Sequence, residues 1–165
     1  MFVFLHQARD SIKYMFQKKI IPFLLLTFII TQNIFAQNRE DAITGKWMSS
    51  ENNLEVEVYK VNTEFKARVI WFDDSDDKSK PMNERLDEKN SNKALRSRKI
   101  IGMEALRNLK YNTDDDEWQD GVIYDSSTGK EWNAKAWLTD KGLLKVRGYW
   151  HFSIFGQNMT FIKVK

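Results

Sequence analysis

The sequence contains no cysteine. That absence excludes a disulfide framework, a thiolate metal site, a cysteine nucleophile and a lipid-bearing N-terminal cysteine. Glycine and proline are sparse, at seven and two residues in 165, so the chain is neither collagen-like nor low-complexity. A charge of one sign is also missing from most of the chain. The formal charge is +3, but of 26 basic and 23 acidic side chains, four basic and one acidic precede Gln37, so the remainder holds 22 of each. Without clustered cations, the counterion release that drives nucleic-acid binding has no source, and no nucleic-acid partner is expected. The uninterrupted apolar run that begins at Ile20 is shorter than the ~20 residues of a spanning helix.

That run follows Lys18-Lys19 and ends near Ile34-Phe35-Ala36. Basic residues, a short apolar stretch and a terminal small residue are what signal peptidase reads, so residues 1–36 are expected to form a signal helix cleaved after Ala36. Starting at Met15 would place Lys18-Lys19 directly before the apolar stretch, which makes Met15 the expected true start. The mature protein is then exported, periplasmic or secreted, with no membrane segment after cleavage.

Residues 37–165 read as a single β domain. Leu54, Val56 and Val58 alternate with Glu55 and Glu57, and Phe65, Ala67, Val69 and Trp71 alternate with Lys66, Arg68 and Ile70. Further strands are expected over Trp118 to Asp125, Trp132 to Leu138, Leu144 to Trp150 and Met159 to Val164. Met103, Leu106 and Leu109 recur at a spacing of three, which suits a helix, yet the flanking strands favour an extended run, here placed at Ile101 to Leu106. Residues 73–98 break the pattern as a long loop, acidic at its start and basic at its end. A lid closed by that charge difference is one reading; a solvated insertion, with a helical turn around Asn83 to Asn90, is preferred. About eight strands joined mostly by short turns are most economically an antiparallel up-and-down barrel, because closure removes edges.

Gly45-Lys46-Trp47, Ile101-Gly102-Met103, the Gly121-Val-Ile-Tyr-Asp125 to Gly129-Lys130 hairpin, and Leu144-Lys-Val-Arg-Gly-Tyr149 followed by Gly156 together carry a resemblance over residues 44 to 164. They resemble the exported bacterial family called domain of unknown function 2147. The resemblance implies a lipocalin-like fold and an unestablished biochemical role. Many members carry a cysteine pair in the long loop, which is absent here. The Gly-x-Trp is similar to the lipocalin opening motif, which implies that Trp47 caps one barrel end with Lys163 over its ring.

Chemistry-bearing residues are few. His151 with Ser153 two residues on could act as a base, but no orienting acid or oxyanion hole is recognisable, so a histidine at the barrel mouth is preferred and no catalytic residue is assigned. The clusters Asp73 to Asp77 and Asp114 to Glu117 lack the spacing of a calcium loop and read as solvated turns. No metal or cofactor is expected. The aromatic residues are more informative together than singly: inward rings can fill a barrel or line a pocket, and a largely filled interior with at most a small apolar cavity is preferred. Two readings stay open. In the first, the barrel mouth holds a small apolar ligand against Phe65, Trp71, Trp132, Trp150 and His151. In the second, a filled barrel serves as an envelope interaction or structural module.

Overall fold

The computed structural model describes residues 39–150 and 156–165. The expected signal segment, its cleavage site and His151 lie outside them. Within the unit Asp41–Lys165, eight antiparallel strands close into a barrel in chain order. They are β1 (Gly45–Ser49), β2 (Leu54–Val61), β3 (Glu64–Phe72), β4 (Glu104–Asn112), β5 (Glu117–Asp125), β6 (Lys130–Leu138), β7 (Leu144–Tyr149) and β8 (Gly156–Lys163). Closure is made by β8 on β1, through the pairs Trp47↔Lys163, Met48↔Ile162 and Ser49↔Phe161.

Period two explains most of the wall. On β2, Val56 and Val58 are buried; on β6, Ala134 and Ala136; on β7, Leu144 and Val146. The exceptions are bulges, and they decide which residues face the core. On β3 the register passes from Val56↔Val69 to Glu55↔Trp71, leaving Ile70 as an extra residue. On β4 the pairs Phe65↔Leu109, Ala67↔Leu106 and Arg68↔Glu104 leave two extra residues, one between Leu106 and Leu109 and one between Glu104 and Leu106. Asn108, in the first interval, has φ of 60°; Asn and Asp tolerate this left-handed region better than most residues. Met103, Leu106 and Leu109 are therefore all buried at a spacing of three, although the chain is extended. The spacing that suggests a helix is the signature of a doubly bulged strand, and β4 lies further along the chain than Ile101 to Leu106. Asp120, with φ of 60°, marks the matching bulge on β5, between Trp118↔Ala136 and Gly121↔Ala134.

The core has two parts. The larger surrounds Trp47, Phe65, Leu109, Trp118, Leu144 and Phe161 at the end where β1 begins. Asp41–Ile43, a 3-10 turn, brings Ile43 beneath this end, fully buried. Trp47 Nε1 donates to the Ile43 carbonyl at 2.8 Å. Lys163 Nζ lies 5.3 Å from the centre of the Trp47 ring and donates to the Ala42 carbonyl at 3.1 Å. The smaller cluster, at the opposite end, contains Val69, Met103 and Tyr124, with Leu54, Phe72, Ile100, Ile101 and Ala105 packed against it.

Candidate functional site

The opposite end carries the long connection between β3 and β4, and this segment is docked rather than free. Asp87 is completely buried within it. One carboxylate oxygen accepts from Tyr124 Oη at 2.5 Å. The other accepts from Asn90 Nδ2 at 2.7 Å, Arg98 Nε at 2.9 Å and Arg98 Nη2 at 2.8 Å. The Arg98 guanidinium also lies over the Tyr124 ring, 5.2 Å from its centre. Lys89 Nζ donates to the Ser127 carbonyl at 2.6 Å, and the Lys89 carbonyl sits where a Cβ on Gly129 would project. Gly129, with φ of +71°, is thus required both by the hairpin and by the segment lying on it. A solvated insertion does not describe this arrangement.

The acidic start of the loop is likewise organised locally. Arg85 binds Asp76 at 2.7 and 3.1 Å and the carbonyls of Asp74, Asp77 and Lys80. Its hydrogen bond holds the Asp76 carboxyl below the ordinary carboxylate range. The cation answering the acidic run is therefore Arg85, in mid-loop, while Arg98 answers Asp87. The helical turn lies at Lys93–Leu95, capped by Asn92, rather than at Asn83 to Asn90.

Burial, and then the hydrogen bond to Asp87, push the Tyr124 hydroxyl up to about 12 from its ordinary 10.0. A raised pKa means that the folded state favours the neutral phenol. Its stabilising contribution is complete below pH 10 and is lost as pH rises through 12. Urea midpoints should therefore fall across that window, and the step attributable to this group should disappear in Tyr124→Phe. A midpoint profile identical in the two proteins would contradict the assignment.

The β6 to β8 side of the same end is different. Trp132 lies on the inward face of β6, in step with Ala134 and Ala136. Trp150 follows β7 and meets Trp132 edge to face, with ring centres 5.7 Å apart. Trp150 is 56% exposed, and Met159, in step with the buried Phe161, is 41% exposed. Lys130, Glu131, Trp132 and Trp150 line a depression of about 510 Å³ at this rim. A neighbouring depression of about 220 Å³ is lined by Val122, Glu131, Trp132, Asn133, Tyr149 and Trp150.

The expected ligand residues are only partly brought together. Trp132 and Trp150 are paired at the mouth. Phe65 is fully buried in the other half of the barrel, 6.4 Å from Trp118, and is part of the filling. Trp71 is turned to the outer face by the Ile70 bulge: it pairs with Glu55, while Phe72 pairs with the inward Leu54. His151 lies outside the described residues. Sequence reasoning missed Ile123, which faces Trp132 across the β5–β6 pair, and Met159; both are legible from alternation once the register is known.

The model of a family described as "Uncharacterized protein conserved in bacteria (DUF2147)" matches residues 45–163. The chain belongs to that family. The DUF2147 barrel is also similar in fold to protein HP1028 from Helicobacter pylori, described as belonging to the lipocalin family. The two share 20% identity with a TM-score of 0.63, over 74% of this chain and 83% of that one. No curated protein matches the sequence. The shared architecture is the closed, lipocalin-like barrel.

Proposed function

We propose that this DUF2147 protein is exported and that its barrel mouth holds a small apolar ligand against Trp132 and Trp150. The observation that carries the reading is the edge-to-face indole pair left exposed on the inward side of β6 and β7. A ring half in water leaves apolar area exposed, and a depression beside it offers the means to bury that area. The filled half of the barrel around Trp118 and Phe65 limits the ligand to a small one. Export rests on Lys18-Lys19, the apolar run and Ala36.

The test is titration of the protein, recovered from the bacterial envelope, with the uncharged probe N-phenyl-1-naphthylamine, alongside native mass spectrometry of what it carries. Trp150→Ala should weaken the probe about tenfold by removing one aromatic wall. Because the ring is exposed, its loss should shift stability by under about 0.5 kcal/mol. An empty protein that ignores the probe would favour the interaction-module reading, for which Ile162, 49% exposed on the outer wall beside Met48, is an apolar outward feature.

A further inference from the structure

The two depressions share Glu131, Trp132 and Trp150, so the mouth continues over the rim onto the outer wall. On that wall Val122, Asn133 and Tyr149 form one row across β5, β6 and β7, through the pairs Val122↔Asn133 and Asn133↔Tyr149. The next strand presents Gly156 opposite Tyr149. A Cβ at Gly156 would lie 2.9 Å from the Tyr149 Cβ and collide with the Gly148 carbonyl, so β8 places no side chain at this position beside Tyr149.

We infer that the ligand is an amphiphile: its apolar part lies against Trp132 and Trp150, and its uncharged, hydroxyl-bearing head group lies on this outer shelf. The inference rests on the mouth being an apolar-ligand site. The shelf offers a carboxamide on Asn133, a phenol on Tyr149 and a carboxylate on Glu131, which supply donors and acceptors together. Hydroxyl groups, which donate and accept, match such a mixed set; a carboxylate head cannot donate and an ammonium head cannot accept. The charge of Glu131 is answered by Arg107 at 2.8 Å, and among the described residues the shelf lining holds no other charged side chain, Lys130 belonging to the mouth depression. The depression, about 220 Å³, is of a size to take one sugar-sized ring. Beside it, aromatic faces are suited to the C–H face of such a ring.

The experiment compares octyl β-glucoside, octanoate and octyltrimethylammonium, each below its micellar concentration, as competitors of N-phenyl-1-naphthylamine. The glucoside should compete about tenfold better than either ionic amphiphile. The double variant Asn133→Ala with Tyr149→Phe should weaken the glucoside about tenfold, as expected for two lost hydrogen bonds, and leave the headless probe unchanged. Retained probe binding with equal competition by all three amphiphiles, or a glucoside insensitive to the double variant, would overturn the head-group assignment and leave the mouth reading intact. Failure of the wild-type protein to bind the probe or the glucoside would overturn both.

Discussion

Arg98→Ala should lower the free energy that holds the β3–β4 segment on the barrel by about 3 kcal/mol. Removing one member of a buried ion pair costs about 3–5 kcal/mol because the remaining charge is buried without its partner. Asp87 is fully buried, so the charge left behind is the worse of the two to strand; the Arg98 side chain itself is 33% exposed. Tyr124 and Asn90 continue to donate to the carboxylate, which places the loss at the lower end of that range. The segment has an escape that a strand lacks: it can lift off the hairpin and let Asp87 reach water. Hydrogen exchange should therefore show the amides of Asp87 and Asn90, which donate to Arg98 and Asp87 carbonyls, losing protection while the barrel strands keep theirs. Asp87→Asn should cost less than Arg98→Ala, because a neutral amide can still accept from Tyr124. Unchanged protection of these amides in Arg98→Ala would show that the buried pair does not hold the segment.

Trp118→Ala should destabilise the barrel as a whole by about 4 kcal/mol, within the range of about 3–5 kcal/mol for loss of a buried indole. Trp118 is fully buried, packs edge to face on Phe65 and lies 5.1 Å from Tyr111. Across the wall its partner is Ala136, and Ala134 follows on the same face, so on that side the side chains are too short to reach into the space. The strands are tied to both neighbours around a closed circuit and cannot move inward singly. A persistent apolar cavity is the expected result, and added indole should recover part of the stability in a urea melt. A loss below 1 kcal/mol would mean that the barrel collapses around the gap. The contrast with Arg98 is the useful part: one substitution frees a segment, the other weakens every strand.

Much of the barrel was legible before any coordinates. The alternations at Leu54 to Val58, Trp132 to Leu138 and Leu144 to Val146 are local, and a strand with one buried face must show them. The path of the β3–β4 segment was less legible. Its opposite charges were evident, but pairing them end to end overlooked Arg85, which is nearer in sequence to the acidic run, and Asp87, whose burial depends on Tyr124, 37 residues away. The ligand residues show the same division. Trp132 and Trp150 follow regular strands, and their shared face could be counted from Ala134 and Gly148. Trp71 follows a bulge and could not be counted from Phe65.

The sequence alone thus determined an all-β, eight-stranded, up-and-down barrel and the absence of cysteine chemistry, because strand periodicity and composition are properties of neighbouring residues. Only the tertiary structure decided which way Trp71 faces and what the long segment rests on. The physical reason is that a single extra residue, at Ile70, Asn108 or Asp120, reverses every face beyond it. The pairing partner that reveals such a residue lies on another strand.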